Sequence, residues 1–125
     1  MILGLGTDIV EVARIGASHA RWGETFVNRI LLPAEIVYCR SYRESAPHIA
    51  VRFAAKEAIS KAFGTGIGAE LGWHDLEILR DELGRPFVRL HGGGQALFAL
   101  RGARALHITL SHTHQYATAV AILEG

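Results

Sequence analysis

One carboxylate, Glu57, stands among three cations in the run Arg52-Phe53-Ala54-Ala55-Lys56-Glu57-Ala58-Ile59-Ser60-Lys61-Ala62-Phe63. Gly64-Thr65-Gly66-Ile67-Gly68 follows, and glycines let a backbone approach a ligand closely. Near the start, Asp8 lies among Leu3, Leu5, Ile9 and Val10. A carboxylate in such surroundings needs a partner, because an isolated buried charge is too costly. Near the end, Ser111-His112-Thr113-His114-Gln115-Tyr116-Ala117 offers hydroxyls and imidazoles. Asp8 and Glu57 would supply the hard oxygen donors that Mg²⁺ takes beside phosphate oxygens and water. Lys61, one helical turn beyond Glu57, shares its face; Arg52 and Lys56 lie on adjoining faces. These are parts for chemistry on a pyrophosphate.

Each residue also has a plainer reading. Asp8 could bond backbone amides at a turn or bulge beside Gly6. Glu57 and Lys61 form an ordinary helical pair worth about 0.3–0.5 kcal/mol. A P-loop is excluded, since no Gly-x-x-x-x-Gly-Lys-Ser/Thr occurs. His112 and His114, with His107 as a third ligand, could hold zinc, though the spacing is common and no thiol assists. His19, His48, His74 and His91 read as surface residues. Arg14, Arg21 and Arg29 share one short stretch with Glu24 alone. They form either a solvated face or a basic patch that steers an acidic partner. A regulatory module binding a nucleotide or coenzyme A would keep Arg52, Lys61 and the glycine loop. It would not need both carboxylates.

The elements that must position these residues follow from pattern. Ile2 to Val12 is rich in β-branched residues and predicts a strand. Arg14 to Arg29 predicts a short helix broken near Trp22-Gly23. Pro33-Ala34-Glu35 starts a helix reaching about Tyr42. Pro47 begins a long helix with Ile49, Phe53, Ile59, Ala62 and Phe63 as its buried stripe, capped by Gly64. Trp73 to Arg80 and Phe87 to Leu90 predict paired strands about a turn at Glu82 to Pro86. Gly92-Gly93-Gly94 breaks the chain, and Gln95 to Arg101 is helical. Leu106 to Leu110 and Tyr116 to Leu123 form a last hairpin. The fold class expected is α+β: a mainly antiparallel sheet with one long helix and shorter helices packed against it.

Composition bounds the rest. The 125 residues suit a single domain, 1–125. Half are apolar, and mean hydropathy is +0.21, so apolar surface between subunits is expected in so small a chain. Thirteen basic against 12 acidic residues argue against a nucleic-acid binder. Cys39 is the only cysteine, which fits a reducing compartment. No signal peptide and no membrane span are expected, so the predicted location is cytoplasmic.

On these motifs the sequence resembles the holo-acyl-carrier-protein synthases, small bacterial 4′-phosphopantetheinyl transferases. Gly6-Thr7-Asp8 through Arg14 matches the family's Gly-x-Asp-x-x-x-x-x-Arg pattern. Phe53 to Ala62 carries Phe-x-x-Lys-Glu-Ala-x-x-Lys-Ala complete, followed by Gly64-Thr65-Gly66. Gly84 and Pro86 are kept, while Arg80 stands where many members have Asn. Ser111-His112 and Tyr116-Ala117 match the last motif.

The resemblance implies transfer of phosphopantetheine from coenzyme A to a serine of acyl carrier protein, with release of 3′,5′-ADP, in fatty-acid biosynthesis or, as an alternative, polyketide biosynthesis. It assigns Mg²⁺, or Mn²⁺, to Asp8 and Glu57, and adds Lys61 to the catalytic set. Arg52, Ser60, Lys61, Gly64, Pro86, Ser111 and His112 would contact coenzyme A. Arg14 would meet the carrier protein, with Arg21 and Arg29 extending the patch. The family is trimeric with sites shared between subunits. The general base stays open between Glu57 and Asp8 acting through water.

Overall fold

Small residues decide how the central sheet of this molecule meets its helix. The computed structural model describes residues 1–125. Strand β1 (Ile2–Glu11) turns Gly4 and Gly6 toward the longest helix, α4 (Ala46–Phe63). A Cβ on Gly4 or Gly6 would lie 1.8 Å from the carbonyl oxygen of Ala62 or Ala58 respectively. Only glycine permits that approach. The facing residues of β5 (Tyr116–Glu124) are Ala117, Ala119, Ala121 and Leu123, all buried, against Ala54, Ala55, Ala58 and Ala62 of α4. Strand β4 (Ala105–His112) completes an antiparallel sheet of order β1-β5-β4.

The other face of α4 is covered by α1 (Val12–Trp22), α2 (Glu24–Ile30), α3 (Pro33–Arg40) and a second, two-stranded sheet of β2 (Leu76–Arg80) and β3 (Pro86–Leu90). The expected stripe on α4 is therefore an underestimate. The helix is buried on nearly all sides, and Phe53 is only partly buried, stacked on Trp73 with ring centroids 5.1 Å apart. The α+β class stands, with antiparallel pairing throughout.

The break expected near Trp22-Gly23 stands at Gly23, whose φ of 59° favours glycine, and a helix lies on each side of it. Two local expectations change. Trp73 to Asp75 is a 3₁₀ turn before β2 rather than strand. Gly92-Gly93-Gly94 does not break the chain but forms the first turn of α5 (Gly92–Leu100). Asp75 explains the glycines. A Cβ on Gly93 would meet its Oδ2 at 2.9 Å, and one on Gly94 its carbonyl oxygen at 2.9 Å. No helix is long and apolar enough to cross a membrane.

The outward face of the large sheet carries Leu5, Ile9, Tyr116 and Val120, all exposed. Register puts Thr7 opposite Val120 and Ile9 opposite Thr118, so these side chains form one continuous surface. An apolar patch of this kind marks an interaction site more often than bare surface.

Candidate active site

Asp8 sits on the α4 side of β1, in register with Ala119 of β5. Lys61 reaches back from α4, donating from Nζ to Asp8 Oδ1 at 3.2 Å and to the Thr7 carbonyl at 2.9 Å. The Asp8 side chain keeps 17 % exposure and Lys61 51 %, so the pair opens to solvent. Glu57 lies one turn before Lys61. Burial first, then the charge of Asp8, pushes its carboxyl above the usual range, with Lys61 pulling the other way. The two acids thus repel where they meet, half-buried, between β1 and α4, and a cation between them would relieve both. Two carboxylates with open oxygen positions are the donor set Mg²⁺ uses; the residues fit the ion.

Gly64 closes α4 in the left-handed conformation at φ 82°, and the Ser60 carbonyl accepts from the amides of Thr65 and Gly66. This turn leaves a glycine-lined edge beyond Lys61. The Ser60 side chain is buried in this chain and its hydroxyl donates to the Glu57 carbonyl at 2.7 Å.

Lys56 is also different from its neighbours in the motif. It is fully buried, donating to Glu35 Oε1 at 2.8 Å, the Ile30 carbonyl at 2.6 Å and the Trp73 carbonyl at 3.1 Å. Glu35 accepts in turn from the amides of Leu32 and Ile78. All three Lys56 protons are spoken for. It is not a phosphate cation but a tie between α4, α3 and β2.

A second cluster forms at the other end of α4. Arg52 is 1 % exposed. Its guanidinium lies 4.2 Å from the Tyr38 ring centre, Nη1 donates to the His48 carbonyl at 3.4 Å, and buried Nε has no partner. In the isolated chain Arg52 is covered, not open beside Glu57. His48 is half-buried rather than on the surface. Its ring stacks on Tyr42 at 3.6 Å and meets His112 edge-on at 5.6 Å. His112 ends β4 in register with Ala117 and Val10, on the same face of the sheet as Asp8. Ser111 precedes it, opposite Thr118. Nine residues of helix separate His48 from Glu57, a rise of about 13 Å. The Asp8–Glu57–Lys61 cluster and the Arg52–His48–His112 cluster therefore lie apart within one chain. Pro86 opens β3 opposite Arg80, in the second sheet.

The zinc alternative does not assemble. His107 Nε2 pairs with Glu124 Oε1 at 3.0 Å, while His112 packs on His48. No group of three His, Cys, Asp or Glu side chains converges on a metal position. His74 and His91 also differ from free surface residues: His74 bonds the Asn28 carbonyl at 2.6 Å, and His91 bonds Glu77 at 2.9 Å. Cys39 is buried, and burial pushes its thiol up to about 11, so it is inert.

Arg14, Arg21 and Arg29 are exposed and take part in no ion pair, whereas Glu24 is engaged by Arg40 and lies 3.9 Å from His19. Arg21 lies over the exposed Trp22 at 4.7 Å. Beside it, Ser18, Trp22, Thr25, Phe26 and Arg29 line a groove of about 500 Å³. Arg29 thus lines a hollow that Arg21 borders through Trp22, a feature the charge pattern alone did not reveal.

The missed residues, Tyr38, Tyr42, His48 and Glu35, carried little signal. Glu35 meets Lys56 and His48 meets His112 only through the fold, and the neighbouring Tyr38, Tyr42 and His48 follow no period that marks them as a cluster.

The model of the 4′-phosphopantetheinyl transferase superfamily matches residues 4–121. The holo-[acyl-carrier-protein] synthase of Koribacter versatilis is 49 % identical over 124 residues, covering 99 % of each chain. The crystal structure of holo-[acyl-carrier-protein] synthase from Neisseria meningitidis superposes with a TM-score of 0.93 at 32 % identity, covering 100 % of both chains. That of Helicobacter pylori, in complex with coenzyme A, gives 0.86 at 34 % identity over 96 % of this chain and 99 % of its own. Motif, full-length identity and fold agree: this chain belongs to the holo-[acyl-carrier-protein] synthase family of 4′-phosphopantetheinyl transferases.

Proposed function

We propose that this protein, as one domain spanning 1–125, transfers 4′-phosphopantetheine from coenzyme A to a serine hydroxyl of an apo acyl carrier protein, in fatty-acid biosynthesis. The observation that carries the reading is the meeting of Asp8, Glu57 and Lys61 where α4 faces β1, open to solvent. The Helicobacter pylori relative, solved with coenzyme A, supports the donor. The serine oxygen forms a bond to the β-phosphorus while the bond to the bridging oxygen breaks, and 3′,5′-ADP leaves with the α-phosphate. Mg²⁺, or Mn²⁺ in its place, would be held by Asp8 and Glu57 and would neutralise pyrophosphate charge.

The chain's own residues do the remaining work. Lys61, pinned by Asp8 and the Thr7 carbonyl, puts a positive charge where the leaving oxygen develops negative charge. Glu57 or Asp8 would accept the serine proton through a water. Gly64 opens the edge along which coenzyme A would lie. Arg52, Ser111, His112 and Pro86 would complete the cofactor site. The unpartnered Nε of Arg52 is a donor that a phosphate could satisfy once the Tyr38 ring moves aside.

The separation of the two clusters favours a trimer in which Asp8 and Glu57 of one subunit face Pro86, Ser111 and His112 of another. The exposed Leu5, Ile9 and Val120 face is apolar enough to bury in such an assembly. Ile9→Asp should dissociate the trimer and take activity with it. Light scattering after size exclusion reads the mass directly, and an unchanged trimer would remove this face from the interface.

Arg14, Arg21 and Arg29 around the Trp22–Phe26 groove fit an acidic helix of the carrier. Arg14→Ala should raise KM for the carrier about tenfold, at a cost near 1.4 kcal/mol, and leave KM for coenzyme A unchanged. A change in the coenzyme A term alone would sink the docking assignment.

Intact mass spectrometry of apo carrier incubated with this protein, coenzyme A and Mg²⁺ tests the whole reading. The expected result is a gain of one phosphopantetheine group, lost with EDTA. Tight coenzyme A binding with no gain on any of several carriers would point to the regulatory module instead.

A further inference from the structure

Three elements meet in a stack of rings with no established part in the chemistry. Tyr42 follows α3, His48 opens α4 and His112 ends β4. Tyr42 and His48 are stacked with centroids 3.6 Å apart and planes at 21°, and His48 meets His112 edge-on at 5.6 Å and 69°. Tyr42 is itself held by Tyr38, the two hydroxyls being 3.0 Å apart. The His48 carbonyl accepts from Arg52 Nη1. Tyr42, Arg43, Glu44, Pro47, His48 and His112 line one hollow of about 420 Å³. Neither Arg52 nor Arg80, both over the Tyr38 ring, has a carboxylate partner.

We propose that His48 is a positioning residue: clamped against Tyr42, it fixes the His112 ring at the angle needed to meet the phosphates of coenzyme A. The proposal rests on the phosphate role given to His112 above. His112 has no hydrogen bond of its own within the chain, so ring packing is what orients it. Edge-to-face contact is the arrangement that fixes a ring angle, since the positive edge of one ring meets the negative face of the other.

The charge state of His48 fits a packing role. Burial holds its imidazole below the ordinary value, and the neighbouring His112, Arg52 and Arg80 push the same way. His48 is therefore a neutral plate at neutral pH, and its shape matters more than its proton. A phenyl ring should do the same work.

Steady-state kinetics on the intact enzyme test this. His48→Ala should raise KM for coenzyme A about three- to tenfold, the loss of one aromatic contact, with kcat and the carrier KM unmoved. His48→Phe should restore the wild-type KM. Tyr42→Leu, which removes the other plate, should reproduce His48→Ala and covers the case in which that variant folds poorly. In a His112→Ala background His48→Ala should add nothing, because a residue acting through another is not additive with it. An unchanged coenzyme A KM in both His48→Ala and Tyr42→Leu overturns the proposal, as does full additivity with His112→Ala. If His112→Ala itself leaves the coenzyme A KM unchanged, the phosphate role of His112 falls and the inference with it. The two failures are thus told apart.

Discussion

Glu57→Gln should lower kcat by about a thousandfold or more, the scale expected when a charged group aimed at the transition state is removed, while the protein stays folded. Asp8→Asn should do the same. Both side chains stand at the open mouth of the site rather than in the core, so neither supports packing that the amide would lose. Glu57→Gln should also raise the melting temperature of the metal-free protein at neutral pH. Burial and Asp8 raise the folded carboxyl above its unfolded value, so the folded state holds that proton more tightly. Its contribution to stability is greatest in acid and falls away as pH rises through the raised value. At pH 7 the ionised Glu57 is a burden, and the neutral amide removes it. Mg²⁺ must displace the same proton, so activation should need more metal as pH falls through the carboxyl's raised range. Activity titrated with Mg²⁺ at several pH values, beside thermal melts of both variants, checks all three. Full turnover in either variant would end the metal assignment.

Lys56→Ala should cost about 3–5 kcal/mol of folding stability, the largest single loss expected in the chain. Glu35 and Lys56 are both at the floor of exposure, and removing the ammonium leaves a buried carboxylate with only the Leu32 and Ile78 amides. It also strips the Ile30 and Trp73 carbonyls of their shared donor. Burial drags the ammonium below its usual range, with Glu35 holding it up, so the pair stands or falls together. Lys56→Met with Glu35→Gln should recover part of the loss, because no unpaired charge is then left inside. Urea unfolding of the single and double variants decides it. A single-variant loss below about 1 kcal/mol would mean water reaches Glu35.

Much of this was legible before the structure. The long helix, its glycine cap, the flanking strands and the grouping of Asp8 with Glu57 and Lys61 follow from local pattern and motif. What stayed hidden depended on tertiary neighbours. Three cations in one helix look alike in sequence, yet one faces solvent, one lies under a tyrosine and one is sealed in the core. The glycines at 92–94 read as a break because glycine usually signals one; only Asp75 and the Glu70 carbonyl, pressed against them, show why a helix needs them. The ring stack joins residues as far apart as Tyr42 and His112, which no periodicity can register.

Lys56 and Glu57 are adjacent, and successive helical positions point about 100° apart. One is bolted into the interior while the next presents its charge to the site. The two together act as a key in a slot. A screw motion of α4 by a single residue would thrust a carboxylate into the hole shaped for an ammonium, and the close approach of Gly4 and Gly6 leaves the turning helix no room toward the sheet. This helix is not built to be the moving part of the machine. Any gating during turnover falls to the segments laid over it.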